Sequence, residues 1–187
     1  MPLENFINTI IQIPENILLE VKEKFVKKEF SKGDKIVEQG KVCKYLYFIE
    51  KGLSRSYYIN EKGKDITVWF FAENDIMTGV ESFFQQKPSM YEMEFLEDSI
   101  VYQISYDDLN ELFDKYHIIE RFGRLLAIQL LTEVADKLNA MQFQSAKERY
   151  LFMIKKFPNI SYRAPLGHIA SYLGITQETL SRIRSRI

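Results

Sequence analysis

One cysteine, Cys43, stands in a chain of 187 residues, so no internal disulfide can form and a four-thiolate iron–sulfur site is excluded. Cys43 itself reads as a small half-buried hydrophobe. Two histidines, His117 and His168, both lie outside the strand-forming segment. They are too few for the histidine-rich metal centre of a barrel enzyme. No phosphate-binding Gly-rich loop, dinucleotide fingerprint or Ser/His/Asp arrangement is present, and no residue pair suggests haem ligation. The expectation is a protein that is not an enzyme, with no metal site and no cofactor. No apolar run approaches the roughly 20 residues of a membrane span. The start, Met1-Pro2-Leu3-Glu4-Asn5, lacks the basic residues and apolar stretch of a signal peptide. A cytoplasmic chain without a membrane partner is expected.

An excess of one charge is also missing, since the formal net charge is −1. That balance conceals a division. Residues 1–114 carry 13 Lys+Arg against 21 Asp+Glu, whereas residues 115–187 carry 12 against 5. A basic C-terminal part on an acidic N-terminal part suits a phosphate-binding module joined to a domain with another task. The hydrophobic content of 46% is ample for packed cores in both.

Periodicity divides the chain further. Leu3, Phe6, Ile7, Ile10 and Ile11 recur at helical spacing, and Pro14 opens a second short helix that ends near residue 25. From about Lys27 to Ser105 the pattern is short β-branched and aromatic runs punctuated by Gly-bearing turns. The runs are 36–37, 45–49, 54–59, 66–71, 91–95 and 99–104, which predict a sandwich or β-roll. Helical periodicity resumes at Tyr106. One uninterrupted helix is then expected from about Tyr116 to Phe143. Ile128, Leu131, Ala135 and Leu138 form one stripe on it; Ala127, Leu130, Val134 and Met141 form a neighbouring one. One stripe is expected on the β-roll and the other on the same helix of a second copy, with Ile128, Leu131, Val134, Ala135 and Leu138 as the dimer interface. A further helix opens at Ser145 and ends near Pro158.

The last 25 residues have the fixed points of a DNA-binding helix-turn-helix: Ala170 between the helices, Gly174 in the turn and Leu180 in the second helix. Thr176 can cap that second helix, and Ile169, Leu173, Ile175, Leu180 and Ile183 can bury its inner side. Thr176, Gln177, Glu178, Ser181, Arg182, Arg184 and Arg186 are then left to face a major groove. Gln177, Glu178 and Arg182 are the expected base readers, and Arg184, Arg186, Lys147 and His168 the expected phosphate contacts.

In that order, a leading helix, a Gly-punctuated roll, a long helix and a terminal helix-turn-helix resemble the Crp/Fnr family of bacterial transcription regulators. The likeness rests most on 32–40 (KGDKIVEQG), 45–55 (YLYFIEKGLSR) and 175–183 (ITQETLSRI). It implies an α+β fold: a cyclic-nucleotide-binding-like double-stranded β-helix or jelly roll over 1–114, a dimerisation helix over 115–143 and a helix-turn-helix over 144–187. It implies a homodimer on a palindromic DNA site, with RNA polymerase as a further partner and a small-molecule effector not identified by the sequence. The chain departs from the family pattern in the segment 78–90. Gly79 is present, but Val80 stands where the ribose-binding Glu is expected, with Glu81 displaced by one, and Ser89 stands in place of the phosphate-binding Arg. Cyclic AMP is therefore not the expected effector, because a buried phosphate would lack its guanidinium. With Ile187 following the recognition helix, the expectation from the resemblance is a helix-turn-helix without most of the family's β-hairpin wing.

The aromatic set Tyr57, Tyr58, Trp69, Phe70, Phe71, Phe83, Phe84 and Phe95 reads mostly as core packing in and around the roll; an alternative pocket would be apolar and lined by part of it. Arg55, Trp69, Gly79, Glu81, Ser89 and Tyr91 are the candidate effector-pocket residues, with Arg55, Glu81 or Tyr91 as polar anchor. The competing functional reading is a β-roll ligand sensor whose shortened helix-turn-helix contacts a protein partner rather than DNA.

Overall fold

The computed structural model describes residues 2–186. Helices α1 (Pro2–Ile10) and α2 (Glu15–Lys24) lead into strands β1 (Val26–Phe30), β2 (Lys35–Val37), β3 (Tyr45–Lys51), β4 (Ser54–Ile59), β5 (Asp65–Phe71) and β6 (Ile76–Met77). The short α3 (Val80–Gln85) separates these from β7 (Glu92–Phe95) and β8 (Ser99–Ser105). The strands form two antiparallel sheets of order β1-β8-β3-β6 and β2-β7-β4-β5. Phe48, Met77 and Val101 from the first sheet meet Met93 and Phe95 from the second, with Phe83 of α3 among them. Burial of each such side chain stabilises the fold by about 1.5–3 kcal/mol. The β3–β4 turn requires glycine. Gly52 has φ +127°, and a Cβ there would fall 2.0 Å from Ser99 Oγ.

Helices α4 (Tyr106–Lys115) and α5 (His117–Phe143) follow, then α6 (Ala146–Lys156), the single turn α7 (Ile160–Arg163), α8 (Leu166–Tyr172) and α9 (Gln177–Arg184). Ser145 opens α6 with a capping box, its hydroxyl accepting from the Glu148 amide while the Glu148 carboxylate accepts from the Ser145 amide. A second core joins Tyr150, Met153, Phe157, Ile160, Ile169, Ala170, Leu173 and Leu180 to Leu53, Phe70 and Leu96 of the roll. The C-terminal helices thus build their core partly on the outer side of a roll sheet.

The fold is the expected α+β arrangement, with two corrections. Strands β1 and β6 were not predicted. β1 reads Val-Lys-Lys-Glu-Phe and is exposed along almost its whole length, so it has no alternation to read, and β6 has two residues. The turned-in side of α5 is neither predicted stripe. It comprises Ile119, Phe122, Leu126 and Leu130, and of the residues named only Leu130 belongs to it. Phe70 of the aromatic set packs as core, against the C-terminal helices.

Candidate nucleic-acid interface and effector cavity

The helix-turn-helix is set by local chemistry. α8 ends at Tyr172, Gly174 takes φ +67°, and the Thr176 hydroxyl accepts the Thr179 amide at 3.2 Å to start α9. Leu180 is fully buried, and Ile169, Ala170 and Leu173 are nearly so; Ile175 and Ile183 pack around them. Thr176, Gln177, Glu178, Ser181, Arg182, Arg184 and Arg186 are all exposed. The Glu178 carboxyl is held below its usual range by a hydrogen bond from Thr176. Arg182 Nη2 donates to Thr179 Oγ1 at 3.2 Å, which steadies the guanidinium on the helix surface.

Beside α9 lies a concave patch of about 290 Å³ lined by Lys147, Thr179, Arg182, Ile183 and Arg186. Three cations line it and no carboxylate does. Such a concavity concentrates positive potential and suits a phosphate. Of the residues expected to contact phosphate it joins Lys147 of α6 to Arg186, without Arg184, and brings Arg182 into the same group.

His168 is not with them. It sits half-buried against the roll, close to Arg55, Asp65 and Glu94; burial and then the Arg55 charge hold its imidazole below the usual range. Its buried Nδ1 has no hydrogen-bond partner. The expectation of a phosphate-contacting His168 is corrected, since its side of α8 is the side that docks on β5. There the Ser171 hydroxyl accepts the Thr67 amide at 3.0 Å, covering part of an exposed sheet edge.

The candidate effector residues are dispersed. Arg55 is buried and saturated: Nε donates to Glu94 at 2.7 Å, Nη1 and Nη2 to Asp65 at 2.5 and 2.6 Å, and Nη1 to Thr67 at 2.9 Å. It also lies 3.9 Å from the Tyr57 ring centroid. With both carboxylates engaged it has no fork left to anchor a ligand, which corrects that expectation. Glu81 is exposed on α3, and Tyr91 is exposed with its ring edge-on to Tyr58 at 6.2 Å. Trp69 lies at the far end of β5 beneath the ammonium groups of Lys137 and Lys156. Only Gly79 and Ser89 come together. Ser89 Oγ is spent on Tyr91, donating to its carbonyl at 2.8 Å and accepting its amide at 3.1 Å. Around them, Ser82 Oγ accepts the Cys43 amide and donates to the Lys87 carbonyl, and Thr78 donates to the Tyr45 carbonyl. The segment 78–90 is thus closed on hydrogen bonds of its own and with the Cys43–Tyr45 backbone.

On α5, Ile128, Leu131, Val134 and Leu138 are exposed by 52%, 69%, 44% and 59%, and Ala135 is exposed beside them. Spacing of three and four residues puts them on one face, opposite the face on the roll. Two structural arginines were missed. Arg149 donates to the Leu173 carbonyl through Nε and Nη2 at 3.1 and 2.9 Å, and to the Gln144 carbonyl at 2.7 Å. Arg163 grips Glu73 and Glu97 of the roll at 2.7 and 2.6 Å. Leu173 lies 24 positions from Arg149, and Glu73 and Glu97 lie 90 and 66 from Arg163, so only the basic character of the two arginines was legible.

Residues 27–116 match the cyclic nucleotide-binding domain model. The chain is 29% identical over 173 residues to the fumarate and nitrate reduction regulatory protein of Yersinia pestis, covering 86% of this chain and 68% of that one. Its fold is similar to that of FixK2 from Bradyrhizobium japonicum, with TM-score 0.72, 19% identity, and 87% and 83% of the two chains covered. It is similar also to a structure described as a transcriptional regulator of the Crp/Fnr family from Eubacterium rectale. There the TM-score is 0.70 at 15% identity, over 91% of this chain and 82% of that one.

Proposed function

From these likenesses we propose that the chain is a transcription regulator of Crp/Fnr type, homodimeric, sequence-specific in DNA binding and not an enzyme. In this reading residues 1–114 are the sensor, 115–143 the dimerisation helix and 144–187 the DNA-binding domain of a cytoplasmic protein. The observation that carries it is α9, with its polar side exposed next to a concave patch of three cations. Gln177 suits adenine, Glu178 accepts from cytosine N4, and Arg182 suits guanine or a phosphate. Thr176, Ser181 and Arg184 complete the groove-facing set, and Lys147 and Arg186 hold phosphates. The exposed α5 stripe of Ile128, Leu131, Val134, Ala135 and Leu138 is the dimer seam, which sets two α9 helices on half-sites roughly 34 Å apart.

Selection from random duplexes at physiological salt tests this. A palindromic motif is expected; absence of enrichment over competitor DNA points instead to a protein partner for the helix-turn-helix. Arg182→Ala is expected to cost about 1–3 kcal/mol and relax preference at one base pair if that side chain reads guanine. Arg186→Ala should weaken all sequences alike and lower the salt slope by about one unit.

We propose further that cyclic AMP is not the effector. Ser89 brings no charge to a buried phosphate, its hydroxyl is already committed to Tyr91, and Glu81 is turned to solvent. Calorimetry with cyclic AMP and cyclic GMP should register no micromolar binding.

A further inference from the structure

A cleft of about 340 Å³ opens where the roll, α5, α6 and α8 meet, at the small end of the ligand-pocket range of roughly 300–1,000 Å³. Its walls are Trp69 of β5, Phe152 of α6 and Tyr172 of α8, and its polar groups are Glu133, Asp136, Lys137, Lys155 and Lys156. Lys156 is neutralised by Glu133 at 2.5 Å. Lys137 is different. Its ammonium donates to the Val68 carbonyl and rests over the rings of Tyr172 and Trp69, 3.9 and 4.9 Å from their centroids. Among the described residues no carboxylate lies within 4.0 Å of it. Burial, and then the Lys156 charge, push it down to about 8. A half-buried cation without a counter-ion is a costly arrangement unless something supplies the anion.

We propose that this cleft is an effector site for a small organic monocarboxylate with a planar apolar body. The carboxylate meets Lys137, which retains unused N–H donors, and the body lies among Phe152, Trp69 and Tyr172. The lining supports the single charge: three lysines face two acids, so one negative charge is matched and a second meets the repulsion of Asp136 and Glu133. The mixture of apolar walls with a few convergent charges suits an amphipathic molecule better than an inorganic ion. An occupant touches the roll through Trp69 and the helix-turn-helix through Tyr172, so its binding energy is coupled to how those two parts sit. The inference deepens the regulator reading by giving the effector a place outside the β-roll.

Trp69 is the only tryptophan, so its emission reports the cleft directly. Phenylacetate is the probe, phenylacetamide carries the same body without the charge, and acetate carries the charge without the body. Titration of the full chain with phenylacetate should change Trp69 emission saturably at millimolar concentration or below. Phenylacetamide and acetate should each need about tenfold more, or give no saturation. Lys137→Met, with its fold checked by circular dichroism, should weaken phenylacetate by about tenfold or more. The exposed Lys155→Met should weaken it by about threefold. An unmoved Trp69, an equal response to phenylacetamide or to inorganic phosphate at matched ionic strength, or an undiminished response in Lys137→Met would each overturn the site. None of these readings uses DNA. A failed duplex selection would overturn the regulator while leaving the cleft intact.

Discussion

The two halves of α5 are inverted copies of each other in polarity. In the first half the inward stripe is apolar, with Ile119, Phe122, Leu126 and Leu130 against the roll, while Arg121 and Arg124 face solvent. In the second half the inward stripe turns charged at Glu133 and Lys137, and the outward one becomes apolar from Ile128 to Met141. A helix that exchanges faces midway carries two stripes, one packed on its own roll and one left exposed, which in the proposed dimer meets another copy. The exchange also explains why neither of the two stripes in the sequence is the side on the roll: the inward stripe is apolar only in the first half of the helix, and of the predicted residues contains Leu130 alone.

Substitution can separate the halves. Leu138→Glu should leave the monomer folded but weaken the dimer by on the order of 100-fold or more, by placing charge at the seam twice. Sedimentation of both proteins at micromolar concentration checks this; a wild-type monomer would break the comparison at its root. Leu126→Ala should do the reverse, lowering unfolding free energy by about 2–5 kcal/mol in denaturant melts while leaving the self-association of the folded chain unchanged.

Lys137 sharpens the contrast at the point where the inward stripe becomes charged. Folding lowers its pKa from 10.5 to about 8. Between those values the unfolded chain binds more protons, so this group's contribution to stability rises with pH. Lys137→Met should therefore be the more stable protein at pH 7, by up to about 3 kcal/mol, with the gap closing between about pH 8 and 10.5. Paired thermal melts across that window test the sign. The smallest effect belongs to the far end of the chain: Thr176→Ala should cost about 1 kcal/mol through loss of the α9 cap, visible in the melt and not in sedimentation.

What the sequence made legible was local. Gly174, the Thr176 cap and the Ser145–Glu148 box are written within four residues of where they act, and the aromatic runs of β3, β4, β5 and β8 announce themselves. What it concealed depends on partners brought from afar. Arg55 is neutralised by Glu94 across 39 positions, and Ser171 meets Thr67 across 104. No single-position property of Arg55 or His168 tells whether a carboxylate will arrive beside it. β1 was hidden for another reason: an exposed edge strand satisfies its ladder with β8 and has no need of an apolar face.

Arg149 closes the end of α5 onto the turn of the helix-turn-helix, holding the carbonyls of Gln144 and Leu173 with one guanidinium, and Met141 Cε sits 3.0 Å from where a Cβ on Gly174 would be. Through these contacts α9 is indexed to the angular phase of α5. One residue inserted after Leu138 would rotate everything beyond it by about 100° while lengthening the helix by only about 1.5 Å. Seven residues would add about 10.5 Å but return the phase to within about 20°. In the proposed dimer, spacing between half-sites and orientation toward them are therefore separate quantities, and α5 carries both, as length and as angle.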